Sequence, residues 1–474
     1  FGNVMISLTH RKDQKIFVLG LGLSGKSTVN SLSSGGALVH AWDDNADIRK
    51  TYSEFKKILI NPDEINIKDY DAIILSPGIN FKNPIPHSLV KHARLKNVPI
   101  LGDIQLFMDE LYKRNLKNKV IMVTGTNGKS STVMLIDHLM KGLNETVQVG
   151  GNIGTRSVLE FDLTNEDTIF IIEISSYQIE LCHNIKPHIA ILLNISPDHI
   201  DRHGTFMNYV DIKFDLFSHQ DENDFAILGL DGGIISNTID SKQIRAKRIC
   251  FVNQYYSKYH YKNDNSKTQK TLYIEKNGGN LQYSLELTGS MNRTINIENI
   301  SASVACMETL GFQYSEYLSY FQTFKSLKHR SEYIGTHNNI DFINDSKATN
   351  AFASKIAIQS FTNVFWILGG IKKYGGIDEI KDSFQNIEKA YLIGQAADSF
   401  RDCLMSCGIK YEVCGTLDIA LNSAIRDANY IPTKATVLFS PACASFDQFA
   451  NFEERGNKFC ELVNNIKSDK YENY

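Results

Sequence analysis

Val120-Ile121-Met122-Val123-Thr124-Gly125-Thr126-Asn127-Gly128-Lys129-Ser130-Ser131 runs from an apolar stretch into a glycine-rich turn that carries a lysine and two hydroxyls. A strand that empties into such a turn, followed by a helix, is the layout of a nucleotide-phosphate grip. Gly125 and Gly128 let the backbone curl so that successive N–H groups face one anion, and a helix over 134–141 adds the positive end of its dipole. Lys129 can reach terminal phosphates, and the Ser130 hydroxyl can reach Mg²⁺. The Gly-x-x-Gly-Lys-Ser spacing is shorter than the usual Gly-x-x-x-x-Gly-Lys-Ser/Thr, so a glycine turn with a solvated lysine is the competing reading. The order strand, turn, helix favours the grip.

Downstream, Ile169-Phe170-Ile171-Ile172-Glu173-Ile174-Ser175-Ser176-Tyr177-Gln178 places an acid in an otherwise apolar strand. A buried carboxylate costs several kcal/mol unless it is paired or bound to metal. Glu173 is therefore a candidate Mg²⁺ ligand or water-positioning base, against the alternative of a strand-end acid facing solvent. The next apolar run, 189–193, empties into Asn194-Ile195-Ser196-Pro197-Asp198-His199-Ile200-Asp201-Arg202-His203, a polar cluster too dense for a routine loop. On the following helix Lys213 lies about one turn past Tyr209 and points back at that cluster.

Near the front, Lys15-Ile16-Phe17-Val18-Leu19-Gly20-Leu21-Gly22-Leu23-Ser24-Gly25 and then Leu38-Val39-His40-Ala41-Trp42-Asp43-Asp44 form a strand, a Gly-x-Gly-x-x-Gly turn, a helix and a strand ending in acids. That is a dinucleotide-type βαβ unit. The glycines could equally serve close strand–helix packing, and another nucleotide diphosphate suits the turn as well as a redox cofactor. Further strands are expected at 72–75, ahead of Ser76-Pro77-Gly78, at 98–101, 147–149, 168–174 and 189–194. From about Leu327 the strands 342–344, 364–368, 390–393 and 437–440 alternate with helical stretches. Two of them end in Asn344-Asp345-Ser346-Lys347-Ala348-Thr349-Asn350 and Ser440-Pro441-Ala442-Cys443-Ala444-Ser445-Phe446-Asp447-Gln448-Phe449. Alternation of this kind predicts mostly parallel sheets flanked by helices, with polar strand ends lining clefts.

The chain has 474 residues, 42% hydrophobic and 22% charged, with net charge −3. That length exceeds one hydrophobic core. The balance offers no bulk pull toward nucleic acid or anionic lipid, so anion binding must be local. No apolar run approaches a membrane span and the opening residues lack a signal-peptide pattern, so a cytoplasmic enzyme is expected. The eight cysteines show no Cys-x-x-Cys, which argues against structural zinc or a disulfide framework. Residues 253–280, rich in Tyr, Asn, Lys and Ser, read as a long hairpin or insertion.

Taken in order, the phosphate loop, Glu173 to Gln178, Asn194 to His203, Asn344 to Asn350 and Ser440 to Phe449 resemble the Mur ligases over nearly the whole chain. The last two, with Gly20 to Gly25, are most similar to the branch that adds D-glutamate. The resemblance implies an α/β fold of three domains. These are a Rossmann-like UDP-muramoyl-binding domain over 1–112, a central P-loop ATPase-type domain with a parallel sheet over 113–326, and a Rossmann-like amino-acid-binding domain over 327–474. It implies ATP-dependent addition of D-glutamate to UDP-N-acetylmuramoyl-L-alanine through an acyl phosphate, in peptidoglycan precursor synthesis, with release of ADP and phosphate. A monomer acting on small molecules is expected, with neither nucleic acid nor membrane insertion.

The same resemblance assigns residues. Lys129, Glu173, His199 and Lys213 are catalytic. Gly125, Thr126, Asn127, Gly128, Lys129, Ser130, Ser131, Asn296, Arg330 and Asp345 bind ATP. Leu23, Ser24, Asp43, Asp44, Ser76, Pro77, Gly78, Asn152 and Gln178 hold the UDP-substrate. Lys347, Thr349, Lys373, Ser445 and Phe452 line the D-glutamate pocket. Two Mg²⁺ ions are implied, on Ser130 and Glu173 and on His199, with Lys213 completing the second site if it is carbamylated. The chain departs from the family's pattern at Ile295, where His is usual ahead of Asn296, with Met291-Asn292 as a second possible register, and at Asp44-Asn45, where Thr-Arg is frequent. Three other readings compete. A sister ligase adding another amino acid is disfavoured by the absence of an Asp-Asn-Pro-Arg motif. A UDP-sugar binder with a relic ATP site is disfavoured by the intact Lys129, Glu173, His199 and Lys213. A redox dinucleotide enzyme is disfavoured by the second phosphate loop.

Overall fold

A computed structural model of the chain describes all residues except 1–4, 52–54, 154–155, 231–232, 256–267, 277–278, 288–296, 326, 373–375 and 469–474. Packing divides the chain into two compact units, one formed by Phe1–Gln254, Thr271–Ser284 and Ile297–Phe321, the other mainly by Gln322–Tyr474.

The first unit holds two sheets. Strands β1 (Lys15–Leu19), β2 (Leu38–Trp42), β3 (Ala72–Leu75) and β4 (Ile100–Leu101) lie in the order β2-β1-β3-β4, all parallel. The larger sheet comprises β5 (Val120–Thr124), β6 (Val147–Gly151), β7 (Ile169–Glu173), β8 (Ile189–Leu192), β9 (Phe225–Gly229), β10 (Lys247–Tyr255), β11 (Thr268–Lys276) and β12 (Gly279–Leu287). Its order is β12-β11-β10-β9-β8-β5-β7-β6, parallel from β6 through β10. β5, β7 and β8 are buried along their whole length, which is why they read as unbroken apolar runs and not as alternating ones. The two sheets share one core: Phe107, on the helix Asp103–Lys113, packs edge-on against Phe161 and Phe170, which stack on each other at 5.2 Å.

The second unit contains β13 (Glu332–His337), β14 (Ile340–Asn344), β15 (Val364–Gly369), β16 (Ile371–Lys372), β17 (Ile387–Ile393), β18 (Tyr411–Gly415), β19 (Ala435–Phe439) and β20 (Cys443–Ala444). Its main sheet runs β13-β14-β19-β15-β17-β18, with only β13 antiparallel, while β16 and β20 pair separately. The mixed α/β class and the parallel sheets are as expected. Several element boundaries differ. The helix after the phosphate loop begins at Lys129, not at residue 134. Strand β14 starts two residues before the expected Phe342, and β17 three residues before the expected Ala390. In the 253–280 stretch β10 and β11 are present, and the segment between them lies outside the described residues.

Candidate functional site

The C-terminal ends of β5, β7 and β8 bring together the phosphate loop, Glu173 to Gln178 and Asn194 to His203. Parallel packing of these three strands sets Thr124, Glu173 and Leu192 at one edge of the sheet, so the loops that follow them meet there. Gly128 adopts φ +83 as the N-cap of the helix Lys129–Gly142, and a Cβ there would lie 2.4 Å from Asn299 Oδ1. Only glycine fits both the conformation and the space. The amides of Thr126 and Asn127 are used inside the protein, donating to Asn194 O and Asn194 Oδ1, each at 2.9 Å. The first turn of the helix that follows presents its dipole end at this loop. Asn194 in turn donates to Asn127 O and to Glu298 Oε2, at 3.2 and 2.7 Å. Thr126 Oγ1 is bound by Tyr209 Oη at 3.1 Å and by the Ser196 N–H at 3.0 Å.

Two lysines converge on this loop. Lys129 Nζ curls back to Gly125 O and Thr126 O, both at 2.9 Å. Lys213, fully buried on the helix Phe206–Phe214, donates to Gly125 O at 3.0 Å and Thr124 Oγ1 at 3.3 Å. Burial, then the positive charge of Lys129, pushes the Lys213 amine well below the usual lysine range.

Glu173 is 2% exposed; its Oε1 accepts from Asn152 Nδ2 at 2.9 Å, and its Oε2 is buried with no hydrogen-bond partner. An orphaned carboxylate oxygen of this kind is what a cation would satisfy. Ser130 is buried on the first turn of the helix after the phosphate loop. His199, at φ +55, hydrogen-bonds through Nδ1 to Tyr177 Oη at 2.9 Å, with Asp198 Oδ2 3.5 Å from its Nε2. The orphaned carboxylate oxygen of Glu173 is of the donor type that a divalent cation takes.

The neighbouring turn of the small sheet is tied to this loop. Arg202 lies over the Tyr177 ring at 4.6 Å and donates to Asn80 Oδ1 at 3.1 Å and Pro77 O at 3.4 Å. Ser76 Oγ donates to Gly20 O, and a Cβ on Gly25 would lie 1.8 Å from that same oxygen. The glycine fingerprint thus does serve close packing. Asp43 accepts from the Leu21 N–H at 2.7 Å and the Asn45 N–H at 2.9 Å, Asp44 faces His87 at 3.2 Å, and Ser24 donates to Asp103. Leu23 is exposed beside them. Gln178 closes a capping box with Ser175. Arg49, which the linear reading passed over, stacks on Trp42 and donates to the carbonyls of Asp43 and Asp44. It stands one helical turn beyond the position where the family's Thr-Arg pair is missing, and a basic residue on a helix facing that strand end was the available signal.

In the second unit, Asp345 is buried at the end of β14, accepting from the Ser331 N–H at 2.9 Å and Ser440 Oγ at 2.7 Å. Burial pushes its carboxyl up to about 6 against the pull of those hydrogen bonds and of Arg330. Lys347 Nζ lies 4.2 Å over the Phe452 ring, and Ser445 is buried nearby in sequence to β20. Thr349 follows on the same turn. Asn296 and Lys373 lie outside the described residues. His329, Glu332 and Cys460 offer ligand-type atoms within 4.8 Å of one another, but the amide nitrogen of Asn344 sits 2.9, 3.3 and 3.1 Å from them and fills the centre.

The fold and the phosphate loop define a Mur-type ligase. The Mur ligase middle domain family matches residues 123–307. The MurF ligase from Thermotoga maritima in complex with ADP superposes with a TM-score of 0.58 at 17% identity, covering 98% of this chain and 99% of that one. The UDP-N-acetylmuramate-alanine ligase MurC of the same organism gives 0.56 at 18%, over 96% and 100%. At higher similarity, the "UDP-N-acetylmuramoylalanine--D-glutamate ligase" of Rhizobium johnstonii is 38% identical over 96% of both chains, and that of Wolbachia pipientis wMel 35% over 98% of both. The chain belongs to the UDP-N-acetylmuramoylalanine--D-glutamate ligase family.

Proposed function

We propose that this chain joins D-glutamate to UDP-N-acetylmuramoyl-L-alanine at the expense of ATP, with Lys129, Glu173, His199 and Lys213 as its catalytic residues. The observation that carries the reading is the meeting of the phosphate loop with a buried, half-satisfied Glu173 and the buried Lys213 at one sheet edge. A carboxylate is a poor acyl donor. The substrate carboxylate oxygen attacks the γ-phosphorus of ATP, ADP leaves, and the acyl phosphate is then attacked by the amine of D-glutamate. The tetrahedral intermediate loses phosphate and the amine a proton, leaving the amide.

Lys129 and the first turn of its helix hold the transferring phosphoryl group as negative charge spreads over it. Ser130, Glu173 and His199 would hold Mg²⁺, two ions in all, with carbamylated Lys213 completing the second site; bound there, the metal supplies countercharge to the phosphates. Lys213 as an ammonium would repel that charge, whereas a carbamate on its nitrogen would attract it. Gly125, Thr126, Asn127, Gly128 and Ser131 complete the phosphate end of the ATP site, while Asn296, Arg330 and Asp345 are assigned to ATP by the family resemblance alone. Leu23, Ser24, Asp43, Asp44, Ser76, Pro77, Gly78, Asn152 and Gln178 take the UDP-substrate, and Lys347, Thr349, Lys373, Ser445 and Phe452 take D-glutamate, where lysines suit a dicarboxylate. The reading includes a monomeric, cytoplasmic enzyme of three domains at 1–112, 113–326 and 327–474. Among the described residues no helix is long and apolar enough to cross a membrane. Phosphate release from ATP that needs both the nucleotide sugar and D-glutamate, and that disappears in Lys129→Ala, supports the reading; release surviving in Lys129→Ala overturns it.

A further inference from the structure

Arg455, on the helix Phe452–Ser468, is among the largest fully buried side chains of the protein, with 1% of its surface exposed. A guanidinium in such a place is normally neutralised by a carboxylate. Among the described residues, Arg455 has no carboxylate partner. Its Nε donates to Ser346 Oγ at 3.1 Å, and one terminal nitrogen donates to Ser346 O at 2.8 Å and Cys443 O at 3.1 Å. The other terminal nitrogen is buried without any hydrogen-bond partner. Asp447, the acid whose field reaches it, is engaged elsewhere, accepting from the Gln395 N–H at 3.0 Å.

What Arg455 grips matters. Ser346 sits between Asp345 and Lys347, and its hydroxyl also donates to Phe452 O at 2.8 Å. Cys443 lies two residues before Ser445. The guanidinium therefore ties the turn after β14, the turn after β19 and the start of the last helix into one piece. Gly370 completes the enclosure: at φ +133, a Cβ there would lie 3.3 Å from the unpartnered nitrogen and 2.3 Å from Ala444 O. No side chain but hydrogen fits.

We propose that Arg455 is a positioning and specificity-determining residue: it sets the three segments that carry Lys347, Ser445 and Phe452, and its unneutralised buried charge biases their pocket toward a dicarboxylate amino acid. The inference rests on the D-glutamate reading given above. Its planar fork donates to two carbonyls and a hydroxyl at once, which a lysine cannot reproduce, whereas a lysine keeps the charge. Arg455 thus acts through its neighbours and not by touching substrate.

The test is steady-state kinetics on the full chain, wild type beside R455K, R455M and S346A, with D-glutamate and with D-glutamine, and with thermal unfolding of each variant. R455K and S346A are expected to raise KM for D-glutamate about tenfold or more while KM for ATP stays within about twofold. R455M is expected in addition to lower the kcat/KM preference for D-glutamate over D-glutamine by about tenfold, which loss of packing alone would not do. Unchanged KM for D-glutamate in the folded variants, or activity that falls only with the folded fraction, overturns the proposal; should both arginine variants fail to fold, S346A decides it by the same KM criterion. A wild-type chain that turns over no D-glutamate would instead sink the underlying reading, and the inference with it.

Discussion

Lys129 and Lys213 donate to the same carbonyl oxygen, that of Gly125, at 2.9 and 3.0 Å. Two ammonium groups sharing one acceptor repel each other, and Lys213 has no solvent to relieve it. Burial and the Lys129 charge hold the Lys213 amine well below its ordinary range. A neutral amine is nucleophilic toward CO₂, and an anionic carbamate beside Lys129 would turn the repulsion into attraction.

If Lys213 is carbamylated, buffer depleted of CO₂ should lower activity reversibly, and ¹³C-bicarbonate should give one protein-bound carbamate signal that vanishes in Lys213→Ala. Activity in Lys213→Ala should fall by about a hundredfold or more, given its place against the phosphate loop at Gly125. A wild-type rate indifferent to CO₂ with no labelled signal counts against the carbamate.

Glu173→Gln separates function from stability. The substitution removes a buried charge whose Oε2 has no partner, while the bond from Asn152 to Oε1 can persist. Without metal, the variant should be as stable as wild type or more so, by about 1–3 kcal/mol. Its activity should drop about a hundredfold or more, with a rise in the Mg²⁺ needed. Chemical denaturation without metal and Mg²⁺ titration of the rate check the two halves, and loss of stability in the metal-free variant contradicts the assignment.

Gly128→Ala meets two obstacles, a left-handed φ of +83 and Asn299 Oδ1 2.4 Å from the new Cβ. The backbone term alone costs about 1–2 kcal/mol, and the displaced loop should raise KM for ATP about tenfold or more with KM for D-glutamate little changed. Adding Asn299→Ala should recover part of the stability, since it removes the clash and leaves only the backbone strain. Measured Tm values for the single and double variants decide this.

Asp345 makes stability depend on pH in a fixed direction. Its folded carboxyl titrates near about 6, raised by burial from 3.8. The group's favourable contribution is therefore complete below about 3.8 and is lost as pH rises through about 6, on the order of 3 kcal/mol. Asp345→Asn should flatten that part of the stability profile. An unchanged slope between pH 4 and 6 by urea unfolding, at about these pH values, would refute the raised carboxyl.

The sheet-edge chemistry was legible where it lay in contiguous sequence: β5 with its loop, Glu173 in an apolar strand, and the polar run after β8 are local patterns fixed by burial on both sheet faces. The helix starts five residues before the expected 134 because Lys129 and Ser130 belong to the phosphate motif as well as to the first helical turn, and neither is apolar. The Asn194 bonds to Asn127 and Glu298, the Thr126–Tyr209 pair and the Arg49 cap on Asp43 join residues distant in sequence or offset by a turn. Periodicity carries no information about such partners. Arg455 is hidden for the same reason, since on its helix it reads as one more surface charge.

The most direct measurement is phosphate released per amide formed, with ATP, Mg²⁺ and UDP-N-acetylmuramoyl-L-alanine, across D-glutamate, L-glutamate, D-glutamine and a diamino acid. One phosphate per amide with D-glutamate alone, abolished in Lys129→Ala, is the expected result. Turnover with a different amine, or amide formation without phosphate release, would contradict the account.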